Sequence, residues 1–307
     1  MTRSRKPPGA GGQRIRQITI VGTGLIGGSL GLALRKNGFA GKIIGCDRAA
    51  VLARAKRIGA IHQGISDPIQ ACRGSELVVL ATPVGGIIEL IARLAPHLAS
   101  NTLLTDVGST KAIIVAAAQK AFGKNAPQRF LAGHPMAGKE NQGIKFADPD
   151  LFRGAVWFLS PSPEQKLKAG RIAEYLTWLK KLGVTIAVID ADQHDQLCTW
   201  ISHVPQMLAT ALAATLVEEY GEDAPLLESG GRALREMTRI AASPYSMWRD
   251  IAITNKKSIA DALLKLEQRL AHLRENLDTR DLEAEFERAH KLKNRSPRRH
   301  GVTEKGR

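Results

Sequence analysis

Cysteine is scarce: Cys46, Cys72 and Cys198 are the only three in 307 residues, far apart and in no CxxC pair. That excludes a disulfide framework and a cysteine-built zinc site, predicts no metal centre, and fits a reducing, cytoplasmic setting. Aromatics make up only 5% of the chain, and none is interleaved with the basic residues of the termini, so a stacking platform for nucleic acid is lacking. No repeat of fixed period is present. The net charge of +15 is unevenly spread. Residues 1–17 carry five basic residues and no acid, and residues 287–307 carry eight against two, so the ends hold 11 of the 15 charges. Both ends are rich in Pro, Gly, Arg and Lys, the composition of solvated, disordered tails, and nucleic acid is not expected as a partner.

Two long runs lack charge. Ile18–Leu34 (ITIVGTGLIGGSLGLAL) has five glycines in 17 residues. A membrane span needs about 20 apolar residues and rarely contains glycine so densely, and no small-residue cleavage site follows. As strand, turn and helix the run is coherent. Gly22 permits a tight turn, Gly24 lets the backbone approach a pyrophosphate, and Gly27 lets helix and strand pack closely. Leu25 and Ile26 then lie in a first helical turn that faces the phosphate charge. A second strand, KIIGCD, ends at Asp47, 20 residues after Gly27, where an acid can bind the adenosine ribose and repel a 2′-phosphate. This predicts a dinucleotide cradle for NAD rather than NADP, although Arg48 beside Asp47 could welcome a 2′-phosphate.

Further strand–helix alternation runs to Asp190, implying a mainly parallel sheet with ligands at its carboxyl ends. Thr82, Pro83, Asp106, Ser109 and His134 all fall after such ends. The first three are expected to border the cofactor, and Ser109 is a candidate cap for a helix beginning near Thr110. After Asp190 no strand pattern appears. The second charge-free run, Gln196–Val217, carries Ser202, His203 and Gln206, which would be expensive in a membrane, so no membrane association is expected. Leu197, Ile201, Val204, Leu208 and Leu212 recur at helical spacing, as in a core or a subunit interface. His194, Cys198, Ser202 and Gln206 step by four, a polar stripe expected to face an internal cleft, whereas His203 is expected to be structural. The expected organisation is a basic tail (1–14), an α/β Rossmann-type NAD-binding domain (15–190), an all-α dimerisation domain (191–290) and a second tail (291–307).

Taken together, GTGLIGGS, DVGSTK, GHPMAGKE, SHVPQ and TRIAASPYSMWRD resemble the prephenate and arogenate dehydrogenases of tyrosine biosynthesis, over roughly residues 18–277. The resemblance implies a homodimer that oxidatively decarboxylates prephenate to 4-hydroxyphenylpyruvate with NAD as the hydride acceptor. It implies His134 as the catalytic histidine, Ser109 as the serine that orients it or bridges to the hydroxyl, and Arg239 as the ligand of a substrate carboxylate. Glu140, His194, Ser202 and Gln206 match pocket positions. Trp248 matches a tryptophan near the pocket contributed by a partner subunit, with simple packing as its competing role. Many relatives read SHLPH where this chain has Gln206 at the last place. Lys139 would favour the pyruvyl group of prephenate over the ammonium-bearing tail of arogenate if it lines the side-chain pocket. The alternatives are an arogenate or dual-specificity cyclohexadienyl dehydrogenase and, more remotely, a 3-hydroxyacid dehydrogenase or a non-catalytic NAD-binding protein.

Overall fold

The computed structural model describes residues 15–139, 141–221 and 229–295. The N-terminal tail, Glu140 and most of the C-terminal tail lie outside the described residues. At the C-terminal end, helix extends to Arg295, past the expected boundary at residue 290.

Among the described residues eight strands form one sheet in the order β3-β2-β1-β4-β5-β6-β7-β8. They are β1 Gln17–Val21, β2 Lys42–Cys46, β3 Gln63–Gly64, β4 Leu77–Leu80, β5 Leu103–Asp106, β6 Phe130–Pro135, β7 Val156–Ser160 and β8 Thr185–Val188. All pairings are parallel except β6 with β7. Strand order reverses between β1 and β4, the place where open α/β sheets bind ligands.

Both faces of the sheet are covered, which is why its strands read as unbroken apolar runs. Ile18, Ile20, Ile43 and Val79 pack into one core with Leu30, Leu34 and Trp157, while Val21, Ile44, Val78 and Leu80 pack into the other with Ile87, Ile91 and Ile114. The covering helices are α1 Leu25–Lys36, α2 Ala49–Arg57, α3 Pro68–Cys72, α4 Val84–Leu94, α5 Ala112–Phe122, α6 Ala126–Arg129 and α7 Gly170–Lys181.

The helical third begins with α8 Ala191–Cys198, capped by the Asp190 carboxylate, and continues through a π turn, Thr199–His203, into α9 Val204–Tyr220. Then come α10 Gly231–Thr238, α11 Tyr245–Thr254, α12 Lys256–Glu275 and α13 Arg280–Arg295. Packing separates a first unit ending at Ile259 from a second beginning at Ala260. Elements α8–α11 thus belong to the same compact body as the sheet. Within the second unit, Arg269 and Arg288 both pair with Glu285 at 2.7 Å.

Candidate active site

The three glycines of the first turn fulfil three different requirements. Gly22 has φ +92°, and a β-carbon there would lie 2.5 Å from the Ala81 carbonyl oxygen. A β-carbon on Gly27 would lie 1.9 Å from the Gly22 carbonyl oxygen, so α1 sits against the turn only because the side chain is missing. A β-carbon on Gly24 would meet nothing within 4 Å. The first glycine shapes the turn, the third packs it, and the second keeps an approach open. No side chain caps α1, so the first-turn amides that include Leu25 and Ile26 face the opening. Oδ2 of Asp47 accepts from the Thr23 main-chain N–H at 2.8 Å and Oδ1 from that of Arg48 at 2.7 Å, which pins the acid beside the turn. Across the strand-order switch, Thr82 carries a buried hydroxyl oxygen without a hydrogen-bond partner, and Pro83 opens α4. An open glycine, a free helix N-terminus, an acid at the end of β2 and an orphaned hydroxyl are what a dinucleotide needs.

Asp106 departs from its expected cofactor role. Its carboxylate is fully buried and pairs with the Lys111 ammonium, and it also accepts from the main-chain N–H groups of Gly108 at 2.8 Å and Gly133 at 3.1 Å. With its oxygens saturated, it locks the β5 loop to β6. Burial lowers the Lys111 pKa, with Asp106 opposing that shift.

His134 lies inside β6, one residue before its end, and is almost fully buried. Its Nδ1 is 2.9 Å from Nε2 of His194, whose Nδ1 is 2.8 Å from Oδ1 of Asp195. The carboxylate of Asp195 also receives the main-chain N–H groups of Lys111 at 2.7 Å and Ala112 at 3.0 Å. This explains why α5 starts at Ala112 and not near Thr110: Asp195, 84 residues away, caps it, and Ser109 does not. Ser109 sits half-buried in the bend just before. Because main-chain donors occupy Asp195, the His194 proton must reside on Nδ1. Nε2 of His194 is then an acceptor, Nδ1 of His134 the donor, and Nε2 of His134 keeps its lone pair. Burial, reinforced by His194, Lys111 and His203, holds the His134 pKa well below the ordinary histidine value. The ring is thus a neutral base with a defined tautomer.

The polar stripe is altered by the π turn, which inserts one extra residue. His194, Cys198 and Gln206 are buried as expected, but His203 takes the buried position assigned to Ser202, which is half-exposed. Nδ1 of His203 is 3.2 Å from the Asn255 amide nitrogen, which also donates to the Asp195 carbonyl and the Thr199 hydroxyl at 2.9 Å each. That arrangement puts the His203 proton on Nε2, a buried atom with no partner. Burial pushes its pKa down to about 4. The Trp248 ring meets His203 edge-on at 6.0 Å from within the same chain, and its indole nitrogen is likewise buried and unpartnered. Asn255 was missed from sequence, and His203, expected to be structural, keeps a buried ring nitrogen without a partner; a histidine inside a charge-free helix was the one available signal.

One further expectation changes. The Lys139 ammonium donates to Asp148 at 2.9 Å and to the Phe146 carbonyl at 3.3 Å, so it closes a surface loop and does not stand as a lone cation in a pocket. Arg239 is exposed and opens a 3-10 turn, Arg239–Ala242, that packs against α9. The expectation of no metal ligands rested on cysteine spacing; the fold nevertheless brings Cys198 against His194 and His134.

Two family models divide the chain between them. The nucleotide-binding domain of prephenate dehydrogenase matches residues 30–188, and the dimerization domain of the same enzyme matches residues 190–292. The chain belongs to the prephenate dehydrogenase family. Prephenate dehydrogenase of Bacillus subtilis is 32% identical over 88% of this chain and 72% of its own length, and that of Lactococcus lactis 30% identical over 88% and 73%. The crystal structure of prephenate dehydrogenase from A. aeolicus with hydroxyphenyl propionate and NAD+ superposes with a TM-score of 0.79 at 31% identity, covering 91% of this chain and 96% of that one. A Synechocystis arogenate dehydrogenase superposes with a TM-score of 0.70 at 27% identity, covering 91% and 96%.

Proposed function

We propose that the chain catalyses the NAD-dependent oxidative decarboxylation of prephenate to 4-hydroxyphenylpyruvate in tyrosine biosynthesis, as a cytoplasmic homodimer. The observation that carries the reading is the line Asp195–His194–His134, which leaves one lone pair, on Nε2 of His134, in a body that also holds a dinucleotide cradle. NAD+, when bound, supplies the hydride acceptor. Gly24, the first turn of α1, Asp47 and Thr82 would hold it. Nε2 of His134 accepts the hydrogen bond and proton of the ring hydroxyl as that carbon is oxidised, and the two groups behind it hold the ring in the accepting tautomer. Loss of the ring carboxylate as carbon dioxide makes the ring aromatic and drives the step. Ser109, on the loop that follows the neighbouring strand β5, is the candidate for orienting the hydroxyl, and Arg239 for a substrate carboxylate, where a guanidinium fork matches two oxygens. His203 Nε2–H and Trp248 Nε1–H, both buried and unpartnered, are candidate donors for substrate oxygens.

Leu197, Trp200, Ile201 and Val217 are exposed apolar side chains on α8, α9 and the π turn between them, within the part matched by the dimerization-domain model. They support a second copy of the chain as the partner of that face. The three free, buried cysteines support a reducing compartment.

A second reading, in which the chain also takes arogenate, draws on Lys139: an ammonium neutralised by Asp148 has little charge left to discriminate between the two side chains. A cyclohexadienyl dehydrogenase of Zymomonas mobilis is 28% identical over 81% of this chain. The test is the initial rate of reduced-nicotinamide formation with prephenate or arogenate crossed with NAD or NADP. Turnover with prephenate and NAD supports the proposal, comparable rates with both acids support the second reading, and no turnover in any pair refutes both.

A further inference from the structure

The proton line leaves one group of the buried cluster unused. Sγ of Cys198 lies 3.3 Å from Nε2 of His194 and 4.0 Å from Nδ1 of His134, and those nitrogens are 2.9 Å apart. Tetrahedral zinc, with Zn–N of about 2.0–2.1 Å and Zn–S of about 2.3 Å, requires edges of roughly 3.3 Å between nitrogens and 3.6 Å from nitrogen to sulfur. Every edge of the present triangle is within about half an ångström of these values. We propose that His134, His194 and Cys198 form an inhibitory site for a thiophilic divalent cation, with Zn2+ as its type.

The surroundings match. A metal-binding histidine donates its other N–H to a carboxylate, as His194 does to Asp195, and Asp195 is itself held by two main-chain N–H groups. His194 and Cys198 are four residues apart on α8 and project from one face, while His134 closes the triangle from β6. Formal charge balances as well. Asp106 and Lys111 sum to zero, and the two positive charges of the cation are met by Asp195 and the Cys198 thiolate. Nitrogen and sulfur donors select zinc over magnesium or calcium, which prefer oxygen.

Binding forms bonds to Nε2 of His194, Nδ1 of His134 and Sγ of Cys198. The thiol proton leaves to solvent, and the His134 proton moves from Nδ1 to Nε2. No oxidation occurs. His134 then presents an N–H where catalysis requires a lone pair, so metal occupancy and turnover exclude each other. The inhibition half of the proposal rests on the role of His134 given above; the binding half does not.

The experiment uses the full chain, stripped by chelator, with Co2+ as a spectroscopic probe and Zn2+ as the titrant. Wild type should bind one Co2+ per chain with thiolate-to-cobalt charge-transfer absorption. Zn2+, but not Mg2+, should stop turnover reversibly. Cys198→Ser should keep its turnover, lose the charge-transfer band, and need on the order of a hundredfold more zinc for inhibition. Cys198→Ala serves the same test if the serine variant melts early, with NAD binding as the check on folding. A band that persists in both variants, or no stoichiometric cobalt in wild type, overturns the site. A Cys198-dependent band with turnover unaffected by bound metal overturns the inhibition. In a protein inert toward all four substrate and cofactor pairs, the band still decides the site, so failure of the activity and failure of the site are read separately.

Discussion

Oδ1 of Asp195 accepts two hydrogen bonds at once, from the main-chain N–H of Lys111 at 2.7 Å and from Nδ1 of His194 at 2.8 Å. One carboxylate thus starts α5 and sets the tautomer of both histidines. In Asp195→Asn, one of these acceptor positions becomes an NH2 group. We expect turnover to fall about 10- to 100-fold, as for other groups that orient a reacting histidine, and stability to fall by about 1–2 kcal/mol from the weakened cap. A kcat loss with unchanged NAD affinity and a displaced acid limb of the pH profile would mark a positioning role; a loss of stability alone would mark a cap and nothing more. His134→Asn should cost about 10²–10⁴ in turnover with NAD binding intact.

The depressed histidine pKa values have a definite sign. With His134 in its proposed role as a neutral base, the acid limb of kcat/KM should lie well below the ordinary histidine value of about 6.5. The unfolded chain takes up protons near that value, whereas folded His134 and His203 do not. Stability should therefore be full above pH ~6.5 and decline as the pH falls, for His203 down to about 4. Tm measured between pH 7.5 and 4.5 checks this; a flat profile would mean the rings are not buried as neutral bases.

Gly24 and Gly27 should separate binding from folding. Gly24→Ala adds a methyl group to open space and should leave Tm unchanged while weakening NAD, because the phosphates need that space. Gly27→Ala pushes a methyl group into the Gly22 carbonyl and should destabilise by about 1–3 kcal/mol or more. Equal losses of Tm in the two variants would contradict the division of labour.

Asp47 is the expected barrier to NADP. Asp47→Ser should raise the NADP-to-NAD ratio of kcat/KM by about tenfold or more, equivalent to roughly 1.4 kcal/mol. The neighbouring Arg48, exposed beside it, is then available to the 2′-phosphate. A ratio that does not move would assign the discrimination elsewhere.

Ile201 is 49% exposed on the face assigned to the second copy. Ile201→Glu should shift the protein from dimer to monomer in light scattering with little change in monomer fold. Persistence of the dimer would move the interface off α8 and α9.

What could be read from the sequence was local. The glycine turn, most strand ends and the charge-free helix each declare themselves within a few residues, although β6 runs on through His134 and a π turn interrupts the helix. Contacts between distant segments, Asp195 capping α5 and Asn255 holding His203, could not be read, and the loop pair of Asp148 with Lys139 likewise leaves no periodic trace. Asp106 stands at the expected strand end, but its loop partner Lys111, five residues on, draws it inward. The π turn defeated the four-residue count because one inserted residue exchanges Ser202 for His203 while leaving the composition unaltered.

The two family models meet at residues 188 and 190, where a protein engineer would cut to exchange halves between relatives. The Asp195 bond crosses that cut. A chimera inherits from one parent the loop that must be capped and from the other the acid that caps it, and the tautomer of His134 depends on their agreement. Halves that each fold well can therefore combine into a protein that binds its nucleotide and does no chemistry. Rescue would come from matching one loop, 108–112, to the helix it meets.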